Sequence, residues 1–189
     1  MLVSTSFLKE GNYSDFIKTL NDSNTDLIHF DVMDGKFVKN TNLKSTKELE
    51  KYIKALSLYD INNITIHKET KKYENMIDLI KSYGIKAGLA IKPNTNVRDL
   101  IPYLPYINMI LVMSVEPGEG GQSFIEGTEN KIKEIRELLK SYNLNDIIIS
   151  VDGGVNSETI DKCRLCDRVV SGSYILSSNN FSERIDSLR

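Results

Sequence analysis

The segment IHFDVMDG (28–35) places an imidazole and a carboxylate two residues apart, at His29 and Asp31, inside an apolar run. On a strand, side chains two apart leave the same face. Such a pair can ligate a divalent metal, and the alternative is a buried His–Asp hydrogen bond without one. A second carboxylate, Asp152, ends the apolar run DIIISVDGG (146–154) and is followed by Gly153 and Gly154. Paired glycines let a backbone turn tightly and approach a ligand closely. Asp152 gains chemical meaning as a partner for Asp31. SVEPGEGGQSF (114–124) holds Gly118, Gly120 and Gly121 around Glu119, and VVSGSYI (169–175) adds Gly172 and Ser173. Backbone N–H groups exposed in such stretches can cradle a phosphate.

Ser6, Asp34, His67 and Glu69 also stand at the ends of apolar runs. Burying such groups costs free energy unless they are paired or bind something. Their recurrence at one relative position is therefore a site-like pattern. Cys163 and Cys166 form a C-x-x-C with no second cysteine pair and no nearby histidine. They read as two semi-buried small side chains rather than a redox or metal motif.

The elements that must position these groups alternate along the whole chain. Strand patterns cover LVSTSF (2–7), DLIHFDVMD (26–34), NNITIHK (62–68), KAGLAIK (86–92), INMILVMSV (107–115), DIIISVDGG and DRVVSGSYI (167–175). Helix patterns lie between them, including STKELEKYIKALSL (45–58), with Ser45 and Glu48 spaced as a capping box. YENMIDLIKSYG (73–84) ends on a stop glycine, a short helix covers NVRDLIPYL, and SETIDKCRLC reads as a helix. Strands this rich in Ile and Val, each followed by a helix, predict one α/β domain over 1–189 with a parallel sheet. The charge of −2 leaves no electrostatic footprint for nucleic acid or a charged membrane surface. The longest apolar run is too short to span a bilayer, and the first residues make a poor secretory signal. A cytoplasmic protein is expected.

STSFL, HFDVMDGKFV, ITIHKE, KAGLAIKPNT, LVMSVEPGEGGQSF, VDGGV and SGSYI, in that order, resemble the ribulose-phosphate 3-epimerase family. The resemblance runs from Leu2 to about Leu176. It implies a TIM-barrel-like (β/α) parallel barrel. It also implies 3-epimerisation of D-ribulose 5-phosphate to D-xylulose 5-phosphate, in the pentose phosphate pathway. In that chemistry Asp31 and Asp152 are acid/bases on opposite faces of an enediolate. A divalent ion (Zn, Fe, Mn, Co or Mg) would stabilise the developing negative charge. By resemblance His29, Asp31 and Asp152 match metal ligands. Ser6, Met33, Met113, Gly118, Glu119, Gly120, Gly121, Gly153, Gly154, Gly172 and Ser173 match substrate and phosphate contacts. The charge of Glu119 is compatible with phosphate if its side chain turns outward. The partners implied are a small phosphorylated ketose and further copies of the chain in a homo-oligomer. Alternatives are an allulose-6-phosphate-type epimerase and a non-catalytic sugar-phosphate-binding barrel.

The family's fourth ligand, a His on its third strand, has no counterpart. Only one helix pattern separates Asp34 from Asn62, so one helix–strand unit, the second helix and third strand, is absent. The fold expected is a barrel of seven strands, or one incompletely closed. His67 either moves into the vacant ligand position or leaves the metal three protein ligands.

Overall fold

The computed structural model describes residues 1–7, 14–31, 46–58, 61–70 and 73–189. Within these, the first half runs β1 (Leu2–Phe7), α1 (Ser14–Asn21), β2 (Leu27–Phe30), α2 (Thr46–Leu56), β3 (Asn63–His67), α3 (Tyr73–Ser82) and β4 (Lys86–Ile91). A 3-10 helix (Val97–Tyr106) leads to β5 (Met109–Met113), α4 (Thr128–Ser141) and β6 (Ile148–Asp152). A 3-10 turn (Ile160–Cys163), β7 (Arg168–Ser171), α5 (Ser173–Leu176) and α6 (Phe181–Asp186) complete the chain. No described helix is long and apolar enough to cross a membrane.

The seven strands form one parallel sheet in the order β2-β1-β7-β6-β5-β4-β3. This is the strand order of a (β/α) barrel opened at one seam. Among the described residues, β2 and β3 lie at the two ends of the sheet and do not pair. The expectation of seven strands and incomplete closure is borne out, and the seam falls where the helix–strand unit is missing. The sheet is nonetheless curled. His29 on β2 and Asp152 on β6 approach to 3.9 Å. Those strands are three steps apart, roughly 14 Å across a flat sheet.

Strand alternation sorts side chains onto two faces. One face, including Val3, Ile66, Leu89, Ile110, Val112 and Val169, packs with helical residues such as Ile80, Ile132 and Ile135 into the main core. The register aligns Ser6 with His29, Met113 with Asp152 and His67 with Ala90, which puts these residues on the concave face. There a smaller apolar group, Ala90, Leu111, Met113, Val115 and Val170, fills the interior beside them. So the hydrophobic effect that seats the helices also aims the polar alternates inward.

Several local expectations meet particular outcomes. Gly84 ends α3 at φ 74°, the left-handed conformation that a Cβ opposes. The predicted helix over NVRDLIPYL is a 3-10 helix, because Pro102 and Pro105 lack the N–H groups an α-helix needs. SETIDKCRLC makes only one 3-10 turn. The Cys166 N–H donates to the Cys163 carbonyl at 2.9 Å, turning the chain into β7 before a helix can extend. Ser45, Met33 and Asp34 lie outside the described residues.

Candidate active site

Ser6, His29, Asp31 and Asp152 converge at the C-terminal end of the sheet. β1 and β2 are hydrogen-bonded neighbours, so Ser6 sits beside His29, and Asp31 follows just past the end of β2. The Ser6 hydroxyl donates to Asp31 Oδ2 at 3.0 Å. His29 Nε2 donates to Asp31 Oδ1 at 3.2 Å and faces Asp152 Oδ2 at 3.9 Å. One ligand atom from each of His29, Asp31 and Asp152 can be chosen so that all lie within 4.8 Å of one another. One imidazole nitrogen and two carboxylate oxygens at that spacing fit a first-row divalent cation.

The environment gives the two carboxylates different proton affinities. Burial pushes Asp152 up, the charge of His29 pulls it down, and the charge of Asp31 raises it, leaving it at about 7. Burial also opposes ionisation of Asp31. The hydrogen bond from His29, the charge of His29, the Ser6 hydroxyl and the charge of His67 outweigh it, so Asp31 is held below the ordinary value. His29 is likewise penalised by burial, yet its bond to Asp31 and the charges of Asp152 and Asp31 raise it. Near neutral pH Asp31 is thus a carboxylate while Asp152 holds a proton about half the time. A pair of acids with separated affinities is the arrangement that acid/base chemistry needs.

His67 also projects into the interior, on β3 beyond the seam, but it stands outside the three-residue group. Its Nδ1 lies 3.5 Å from Glu69 Oε2. Glu69 accepts from the Lys92 N–H at 3.1 Å and from the Thr95 hydroxyl. Burial raises Glu69, but these bonds and that of His67 bring it down to about 2. Lys131 completes the anchor by donating to the carbonyls of Lys92, Pro93 and Thr95. Lys131 does not stand out in the sequence, where it is one of several lysines on an amphipathic helix. Only its register beside the buried Ile132 and Ile135 hints at its inward role.

The glycine loops stand side by side because β5, β6 and β7 are neighbours. Gly153 and Gly154 have φ of 118° and 64°. A Cβ on Gly154 would collide with the Phe124 backbone nitrogen, so the loop after β6 packs directly on the loop after β5. Gln122 ties that second loop by donating to the carbonyls of Glu116 and Glu119 at 2.6 and 2.8 Å. Glu119 is exposed, and Gly172 lies against the Ser6 carbonyl, next to Ser173 at the start of α5. Cys163 and Cys166 are buried free thiols that burial pushes up to about 12, which matches the non-reactive reading.

Comparison with known proteins gives the chain's family and fold. The model of the Ribulose-phosphate 3 epimerase family matches residues 2–47 and again 45–176. Its two parts meet where the helix–strand unit is missing. Among curated relatives, a ribulose-phosphate 3-epimerase of Buchnera aphidicola is 38% identical over 217 aligned positions, covering 100% of this chain and 94% of its own. That of Bacillus subtilis is 30% identical, covering 100% and 95%. In fold the chain is similar to KGPDC from Streptococcus mutans, with a TM-score of 0.68 at 11% identity, covering 99% and 94%. It is also similar to 3-hexulose-6-phosphate synthase from Salmonella typhimurium, with a TM-score of 0.60 at 14% identity, covering 100% and 96%.

Proposed function

Since the chain belongs to the ribulose-phosphate 3-epimerase family, and so is an isomerase, we propose that it inverts C3 of D-ribulose 5-phosphate with Asp31 and Asp152 as the two acid/bases. The observation that carries this reading is their convergence around His29 with separated proton affinities. The C2 carbonyl acidifies the C3 proton, so a carboxylate can remove it and leave a planar enediolate. Asp31, ionised and steadied by the Ser6 hydroxyl, acts as base on one face. Asp152, carrying a proton near neutrality, delivers it to the other. The roles exchange in the reverse direction, which a pair sharing one proton permits.

A divalent cation held by His29, Asp31 and Asp152 would supply electrostatic stabilisation of the charge that develops on the C2 and C3 oxygens. His67 is the candidate fourth ligand, facing the interior with its charge felt at Asp31. Met113, paired in register with Asp152, offers an apolar wall beside the reacting carbons. Gly118, Gly120, Gly121, Gly153, Gly154, Gly172 and Ser173 are assigned to the substrate and its phosphate, while the exposed Glu119 turns its charge to solvent. Met33, assigned to the substrate by resemblance, lies outside the described residues.

The test is solvent exchange. Protein incubated with ribulose 5-phosphate in D2O is expected to place deuterium at C3 and to form xylulose 5-phosphate. Asp31→Asn and Asp152→Asn should each slow this by roughly 10² to 10⁴-fold. No exchange by folded protein with any of the divalent metals would remove the proposal. Faster turnover of allulose 6-phosphate would move the substrate assignment to a hexulose. His67→Ala should weaken metal affinity at least tenfold, and unchanged affinity would leave three protein ligands.

A further inference from the structure

At the opposite end of the sheet from the active site, Arg168 opens β7 on the concave face. It aligns with Ser150 on β6 and Leu2 on β1. Arg168 is only 9% exposed and Ser150 is fully buried. Arg168 Nε and Ser150 Oγ have no hydrogen-bond partner among the described residues. One guanidinium nitrogen lies 3.5 Å from the Met109 sulfur, a weak acceptor. Among the described residues, Asp167 is the one carboxylate whose charge is felt at Arg168, and no ion pair joins the two. Asp167, next in the chain, points to the other face, where its Oδ2 takes Arg136 at 2.8 Å and the Ile149 N–H at 2.8 Å.

A buried charge without a hydrogen-bonded partner is among the costliest groups a fold can hold. A lysine here could shed its proton and become neutral. An arginine cannot, and although burial lowers Arg168 it stays protonated at any pH the protein meets. Water could accept from both donors but would bring no negative charge to the unpaired side of the guanidinium. We propose that the barrel floor binds a small inorganic monoanion, of the halide class, between Arg168 Nε and Ser150 Oγ. The Met109 side chain beside it favours a weakly hydrated ion over a multiply charged oxyanion. The site is separate from the phosphate loops, which lie at the other ends of the same strands.

The experiment is thermal unfolding of the full chain in EDTA at fixed ionic strength, with gluconate replaced stepwise by chloride or bromide. The midpoint should rise and saturate, by roughly 5 °C far above half-saturation. Arg168→Met should abolish the response, and Ser150→Ala should raise the half-saturating concentration several-fold. No rise in the wild-type protein, or an equal rise in Arg168→Met, overturns the proposal. If Arg168→Met does not fold, bromide-soaked wild-type crystals decide. An anomalous peak within hydrogen-bond distance of both Arg168 Nε and Ser150 Oγ supports the site, and an ordered water in that place overturns it.

Discussion

Replacing Asp152 by Asn is expected to make the metal-free protein more stable above neutral pH while removing its activity. Burial and the neighbouring Asp31 raise Asp152 from the ordinary 3.8 to about 7. The folded protein therefore holds this proton more tightly than the unfolded chain does. Between about pH 4 and 7 the unfolded chain has already released the proton while the folded one keeps it, so wild-type stability falls as pH rises through that window. Each unit of pKa corresponds to about 1.4 kcal/mol, which sets a ceiling of about 4 kcal/mol. The side chain is 18% exposed, and the amide of Asp152→Asn would lose the attraction to His29, so about 2 kcal/mol is a fairer expectation. An amide imitates the protonated acid, so the variant should match wild type near pH 4, pull ahead through neutrality and hold a constant lead above it. Urea denaturation of both proteins in EDTA from pH 4 to 9 measures this. A variant no more stable than wild type at pH 8, or a gap independent of pH, would refute the reasoning. The physical content is that the site stores strain for chemistry, as catalytic sites commonly do.

Metal binding should release protons, because His29 is raised and its ligating nitrogen must give up its proton to bind a cation. Affinity should climb from pH 6 to 8, with calorimetric heats that depend on the buffer's ionisation enthalpy; a flat pH profile would count against the assigned ligands. Gly154→Ala should cost at least about 2 kcal/mol in denaturant unfolding, since φ 64° and the Phe124 backbone both oppose a Cβ. Lys131→Met should release the turn from Lys92 to Thr95, costing about 1 to 2 kcal/mol and speeding hydrogen exchange at the Thr95 amide, which donates to the Lys92 carbonyl.

Much of this protein is written locally. His29 and Asp31 share a face because strand geometry has a period of two, and Asp152 ends a strand because two glycines follow it. The count of seven strands and the parallel sheet follow from where apolar runs begin and stop, while the place of the missing unit follows from the resemblance to the family. Local pattern is less reliable where length decides, as in SETIDKCRLC, whose single 3-10 turn gives way to β7. Other features exist only in three dimensions. The curl that brings Asp152 on β6 to within 3.9 Å of His29 on β2, and the seam that leaves β2 and β3 unpaired among the described residues, depend on how all the strands stack. The proton held by Asp152 and the unpartnered guanidinium nitrogen of Arg168 arise from burial and from neighbours distant in sequence. Residue type sets what a group can do, but proton affinity and charge balance are set by the dielectric and by the charges that folding places around it.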